Sequence, residues 1–162
     1  MKHMLKFSLL FLTLALMACS GKQPQTAKEQ KPEPLLPKGE KITGNNFSGT
    51  AWLHMFVSND TINNTSIGNV TFEPKARTNW HKHPGGQILL VTEGIGWYQE
   101  KGKKAQRIQT GDVVKIPPGA EHWHGASSES GLTHMAISLS TDKGGAVWSQ
   151  PVTDEEYNHM EK

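Results

Sequence analysis

Cys19 is the only cysteine in 162 residues, so an intrachain disulfide is excluded. An excess of one charge is also lacking. Lys and Arg number 17 against 15 Asp and Glu, and so even a balance gives no sign of a nucleic-acid surface. Long hydrophobic runs are confined to residues 7–17, where only Ser8 and Thr13 interrupt the apolar sequence. That run is too short to cross a bilayer and has the length of a signal-peptide core. No stretch carries long helical periodicity, and no internal repeat is present, so neither a helical bundle nor a solenoid is indicated.

Lys2 and Lys6 give the apolar run a basic approach, and it ends in Leu16-Met17-Ala18-Cys19. This ending resembles the lipobox of bacterial lipoproteins. The resemblance implies cleavage before Cys19, lipidation of that residue and a membrane-anchored protein of the cell envelope. The alternative is an ordinary exported protein with a spare thiol. Removing residues 1–18 takes away two lysines and leaves 15 basic against 15 acidic residues, a net charge of zero. Residues 20–41 are rich in Lys, Gln, Glu, Pro and Gly, including Lys31-Pro32-Glu33-Pro34. Such a segment buries too little to offset its conformational entropy and reads as a tether. The expected organisation is a signal peptide at 1–18, a lipidated cysteine and flexible linker at 19–41, and one domain at 42–162.

Within that domain, short β-patterned runs recur at 51–57, 66–73, 87–92, 96–100, 105–109, 113–116, 122–126 and 132–139. Asn63-Asn64, Gly94, Gly102, Pro118-Gly119 and Gly131 separate them, and Pro118-Gly119 fits the centre of a type II turn. A helical turn over Asp154–Met160 is the one expected exception. Roughly eight strands in about 110 residues predict an all-β fold, a small antiparallel jelly-roll barrel.

Two histidine cassettes carry the chemistry. The first is His81-Lys82-His83-Pro84-Gly85-Gly86-Gln87, followed by Gly94; the second runs from Gly111 through Pro117-Pro118-Gly119-Ala120-Glu121 to His122. Alternation along a strand sends His81 and His83 to one face and Trp80 and Lys82 to the other. His122 offers a third imidazole from another strand, and Gln87 an amide oxygen. Three imidazoles and one oxygen donor form an open transition-metal site suited to Mn²⁺, Fe²⁺, Zn²⁺, Ni²⁺ or Co²⁺.

These cassettes resemble the two motifs of the cupin superfamily, G-x5-H-x-H-x3/4-E-x6-G and G-x5-P-x-G-x2-H-x3-N. The first is matched at His81, His83 and Gly94, with Gln87 in place of Glu and Lys75 in place of the leading Gly. The second is matched at Gly111, Pro117, Gly119 and His122, with Ala126 in place of Asn. Between Val70 and Ile137 the chain also resembles a narrower group of bacterial cupins that includes manganese-dependent hydroxynitrile lyases. The shared words include Val70-Thr71-Phe72-Glu73-Pro74, Trp80-His81, His83-Pro84, His122-Trp123-His124-Gly125-Ala126 and Thr133-His134. Related cupins carry names taken from carboxymuconolactone decarboxylases, so the resemblance fixes no substrate. It implies a cupin barrel, Mn²⁺ as the metal, an acid/base role for His134, and a pocket lined by Gly68 and Val70. Thr78 stands on the approach to the metal.

Gln for Glu has a chemical direction. Three neutral imidazoles and a neutral amide leave the full divalent charge on the metal, which favours a developing alkoxide or cyanide over high-valent iron chemistry. His124 shares a face with His122 and is a second candidate for proton transfer, or a polar core residue. His134, between Leu132 and Ala136, is either a general base near neutral pH or a core histidine bonded to a carbonyl. Trp52, Trp97, Trp123 and Trp148 are expected in the core or between copies of a homodimer or higher homo-oligomer. Arg77 is expected in a surface ion pair, or on an acidic substrate. The leading expectation is an exported lyase for a small carbonyl or cyanohydrin molecule. The alternatives are an Fe²⁺-dependent dioxygenase and a non-catalytic module that binds a metal or small ligand.

Overall fold

The computed structural model describes residues 35–58 and 60–160. Cys19, the apolar run at 7–17 and most of the expected tether lie outside the described residues. None of the described helices is long and apolar enough to cross a membrane.

Runs in which alternate side chains are apolar hide one face and wet the other, as at Val113–Ile116, and the described residues form a sheet of twelve strands. In chain order they are β1 (Glu40–Lys41), β2 (Phe47–Ser48), β3 (Ala51–Val57), β4 (Ser66–Phe72), β5 (Arg77–Thr78), β6 (His81–Lys82) and β7 (Gln87–Glu100). β8 (Gln106–Gln109), β9 (Val113–Ile116), β10 (His122–Ala126), β11 (Leu132–Ser138) and β12 (Val147–Trp148) follow, then a helix α1 (Asp154–Met160). The main path runs β1-β3-β4-β11-β7-β10-β5-β2, with β8 and β9 also on β7, β6 on β10 and β12 on β6. Pairings among these strands are antiparallel. The expected all-β jelly roll is therefore observed, and Asp154–Met160 is helical as expected.

The strands expected at 66–73, 105–109 and 132–139 are each one residue shorter, and two differences are larger. Residues 40 and 41, placed at the end of the tether, form β1 and pair with Leu53 and Trp52. The runs at 87–92 and 96–100 are one strand of 14 residues, β7. Gly94 reads as a break because glycine punctuates turns. Here its φ of +85° lets the backbone turn while pairing continues, and a Cβ at this position would lie 1.9 Å from the Gly131 carbonyl oxygen. The first part of β7 pairs with β11 and β9, and the second part with β10 and β8. β7 thus belongs to both faces of the barrel.

The interior core gathers Phe72, Leu89, Val91, Ile108, Ile116 and Leu132, all almost fully buried. A second cluster of Trp80, Trp123, Val152 and Tyr157 packs on the opposite face of β10, beneath α1. α1 starts with a capping box, in which the Glu156 N–H donates to Thr153 Oγ1 (3.1 Å) and the Thr153 N–H to Glu156 Oε2 (2.8 Å). Arg77 holds this layer down from beneath. Its guanidinium is buried and donates to the Val152 carbonyl twice, to the Lys75 carbonyl and to Asp154. The guanidinium also lies over the Tyr157 ring, whose hydroxyl donates to the Ala126 carbonyl at 2.8 Å. The expected surface role of Arg77 is corrected: its side chain is only 7% exposed although its partner Asp154 is 89% exposed.

Replacing Arg77 by Ala should therefore lower stability by about 3 kcal/mol or more, since three carbonyl contacts and a ring contact go with it. Asp154→Asn should change little, because its carboxylate is in solvent. Urea unfolding of both variants is the check. Equal midpoints for Arg77→Ala and wild type would contradict the clamp.

Candidate metal centre

β6, β7 and β10 bring the donor groups together. His81 stands directly opposite His122 in the β6–β10 register, and their ring centroids are 4.3 Å apart. His83 lies one alternation beyond His81, and Gln87 opens β7 after the Pro84-Gly85-Gly86 bend. Burial follows that alternation, with His81 and His83 inside and Lys82 in solvent. His81, His83 and His122 each present a ring nitrogen, and these nitrogens all lie within 4.8 Å of one another. This group could hold a metal ion. Gln87 Oε1 is 3.2 Å from His122 Nε2, which puts the amide at the same point.

Backbone acceptors set the direction of two of the rings. His81 Nδ1 donates to the Asn79 carbonyl (3.0 Å) and His122 Nδ1 to the Ala120 carbonyl (2.9 Å). A carbonyl only accepts, so each of these rings carries its hydrogen on Nδ1 and presents the Nε2 lone pair inward. The Gln87 oxygen brings another lone pair to His122 Nε2. Lone pairs converging on one buried point are what a cation requires, and the carbonyl contacts are the outer support typical of ligating histidines. The donor set therefore fits a divalent transition metal; the geometry does not choose among Mn²⁺, Fe²⁺, Zn²⁺, Ni²⁺ and Co²⁺.

A second pair of imidazoles lies behind the first. His134 on β11 is fully buried, and its Nε2 is 3.1 Å from Nδ1 of His124 on β10. The His124 ring in turn lies 5.3 Å from His81 and 5.9 Å from His122. His124 Nε2 has no hydrogen-bond partner, and His134 Nδ1 none of good geometry. Phe72 packs against both rings.

The five imidazoles share one electrostatic environment. Burial pushes His81 well below the usual histidine range, and the charge of a protonated His122 would push it further. Burial lowers His83 to about 4, again with His122 second. His122 is lowered by burial, and its hydrogen bond to Ala120 acts in the opposite direction. His124 is well below the usual range through burial and then His134. His134 falls to about 4 by burial, which its own and Met135's backbone only partly offset. All five are therefore neutral at physiological pH and available as donors, while His134, at about 4, is a weaker base than the near-neutral one expected from the sequence.

The remaining expected site residues fall as follows. Val70 is directly opposite His134, and Gly68 opposite Ala136. A Cβ at Gly68 would lie 2.8 Å from Leu53 Cδ1 and 3.0 Å from Met55 Sδ, so those side chains use the space that glycine leaves. Thr78 Oγ1 accepts the His124 N–H at 3.2 Å, which ties it to the β10 backbone. Two residues went unassigned to the site in the sequence. Trp148, expected in packing, stacks on His81 with centroids 4.7 Å apart and planes 28° apart. Ser138 Oγ is 3.3 Å from His83 Nδ1. The β12–β6 register places Trp148 against His81, and no local motif announces such a pairing across the intervening chain.

Comparison with known proteins adds to this geometry. The family described as "Cupin domain" matches residues 68–138. A protein named (R)-mandelonitrile lyase from Granulicella tundricola is 51% identical over 88 residues, which is 54% of this chain and 67% of that protein. The crystal structure of a cupin-like protein from Thermotoga maritima superposes with a TM-score of 0.77 at 46% identity, covering 79% of this chain and 97% of that one. A polyketide cyclase from Streptomyces resistomycificus shares the fold alone, with a TM-score of 0.57 at 10% identity over 81% of this chain and 94% of its own.

Neutral burial makes stability depend on pH in a known direction. An unfolded histidine titrates near 6.5, whereas His83 and His134 stay neutral down to about 4. Between those values the unfolded chain binds protons that the folded chain refuses, so stability falls as pH drops through this window and is unaffected above it. Metal-free protein should lose a few kcal/mol between about pH 7.5 and pH 4.5, at ~1.4 kcal/mol per unit per group. Urea midpoints that do not move across that interval would contradict the neutral cluster.

Proposed function

Because this chain belongs to the cupin family, we propose that it is a metal-dependent lyase acting on a small carbonyl or cyanohydrin compound. His81, His83, His122 and Gln87 would hold the metal, with Mn²⁺ the proposed ion. The carrying observation is the buried His124–His134 pair directly behind a three-imidazole donor set. The relative named (R)-mandelonitrile lyase supports the choice of substrate class. Gln87 speaks against the dioxygenase alternative, since a neutral amide gives a high-valent metal no anionic partner.

When bound, a divalent metal supplies Lewis acidity where negative charge gathers, and four neutral ligands cancel none of it. The chain's own residues handle the proton. Both members of the His124–His134 pair are neutral at physiological pH, and each has one nitrogen without a good hydrogen-bond partner. One of them takes the cyanohydrin hydroxyl proton. The carbon–cyanide bond then breaks with its electron pair leaving on cyanide, and the oxygen becomes the carbonyl. The imidazolium returns its proton to cyanide as HCN, so the pair is restored and the atoms balance. His134 is the proposed acid/base, with His124 as the ring through which its proton reaches the site. Val70, opposite His134, and Thr78 are the proposed pocket positions, the space at Gly68 being taken by Leu53 and Met55.

The burial of all four donors favours a second reading, a module that sequesters a metal or small ligand without turnover. The two separate by experiment. We predict that Mn²⁺-loaded protein cleaves mandelonitrile or a similar cyanohydrin above the rate of free metal. His134→Ala should slow it by about 10²-fold or more, the scale of a lost general acid/base. Metal content should remain intact, whereas His81→Ala should lose both metal and turnover. A His134→Ala variant with full metal and an unchanged rate makes His134 a core residue. Absence of turnover with any of the five metals favours the module.

The proposal extends to address and assembly. The Leu16-Met17-Ala18-Cys19 sequence supports an exported lipoprotein held at the cell envelope through Cys19. Exposed Met55, Phe56, Leu90 and Val113 on β3, β7 and β9 support a homodimer or higher homo-oligomer. Full-length protein should label with palmitate and partition into detergent, and Cys19→Ser should remove both properties, since stable anchoring takes more than one chain. Wild-type protein that stays in the aqueous phase without label refutes the anchor.

A further inference from the structure

The three histidines of the donor set have different kinds of outer partner. His81 and His122 donate from Nδ1 to the Asn79 and Ala120 carbonyls, which permit one tautomer only. His83 Nδ1 instead meets the Ser138 hydroxyl at 3.3 Å. A hydroxyl accepts or donates according to how it rotates. If it accepts, His83 keeps hydrogen on Nδ1 and presents the Nε2 lone pair like the other two rings. If it donates, the hydrogen sits on Nε2, and that nitrogen cannot ligate.

The backbone fixes Ser138 in this place. It ends β11 directly opposite Gln87 of β7, so one cross-strand pair carries a candidate ligand and a contact to another ligand. The loop bearing His83 is locked to the same end of β11. The Leu139 N–H donates to the Gly86 carbonyl at 3.1 Å, and Gly85 packs so closely that a Cβ there would lie 1.8 Å from the Leu139 oxygen. The His83–Ser138 contact therefore cannot relax by a shift of one strand alone.

We propose that Ser138 is a positioning residue that selects the tautomer of His83 and thereby sets the metal affinity of the centre. The affinity part rests on the metal-holding reading above, and the tautomer part does not. Ser138→Ala leaves His83 without its outer partner, and removing such a contact to a ligating histidine costs about 10–100-fold in affinity. Ser138→Thr keeps the hydroxyl at the same point.

The test combines metal titration with spectroscopy at about pH 7.5, where every ring of the cluster is neutral. Free Mn²⁺ followed by electron paramagnetic resonance gives the affinity of wild type and both variants. Ser138→Ala should bind about 10-fold or more weakly, with Ser138→Thr close to wild type. Imidazole nitrogen NMR of metal-free wild type should show hydrogen on Nδ1 at His81 and His122, and predominantly on Nδ1 at His83. Ser138→Ala should change that preference at His83 and leave the other two rings alone. The proposal is overturned by wild-type affinity in Ser138→Ala, by equal loss in the Ala and Thr variants, or by an unmoved His83 signal. Should Ser138→Ala fail to fold, wild-type spectra decide, and a His83 with hydrogen mainly on Nε2 overturns the proposal. A tautomer shift in a protein that binds none of the five divalent ions refutes the metal-holding reading while leaving the Ser138–His83 coupling in place.

Discussion

Five imidazoles can share one barrel interior only while none is charged. His81, His83, His122, His124 and His134 are all buried, and within that space each added proton would repel the neighbouring rings as well as lose its water. Much of the surrounding structure answers this constraint. Carbonyls of Asn79 and Ala120 accept ring hydrogens, so two lone pairs turn inward instead of facing apolar walls. His124 and His134 satisfy one nitrogen each by bonding to one another. Phe72 closes the apolar side, and Trp148 stacks over His81. A cation at the convergence point would use the inward lone pairs.

β10 connects this interior to the outer layer. All five of its residues are buried, and it pairs with β5, β6 and β7. His122 and His124 face inward from it, while Trp123 faces the cluster beneath α1. Arg77 and Tyr157 fasten that outer cluster through carbonyls at Val152 and Ala126. A residue far from the imidazoles in chemistry thus bears on their positions through a single short strand.

Much of this was legible in the sequence because it is local. Short β-patterned runs between turn residues marked β3, β9 and β10 at their observed ends, and the His-x-His spacing put two imidazoles on one face without any knowledge of the fold. What was not legible depends on distant chain. Gly94 looks like a turn until Gly131 is known to lie against it. Arg77 looks like a surface charge until residues 152–157 return to cover it. Trp148 and Ser138 reach the histidines only through strand registers that no short motif encodes. His124 and His134 were individually suspect, but their mutual hydrogen bond is a property of two strands brought together.

β7 also bears on how the chain can be made. The strands that pair with it, β8 to β11, all come later in the sequence. β4 likewise waits for β11 on one of its edges, while β3 and β4 can pair as soon as both exist. A chain emerging from its N-terminus can form the β1–β3–β4 sheet and the β2–β5 pair before β7 exists, and β7 gains β8, β9 and β10 before β11 is out. The β4–β11–β7 pairings, which join the early sheet to the long strand, come late, once residue 138 is out. Until then β4 and β7 each keep an open edge, which is the hazard of late closure.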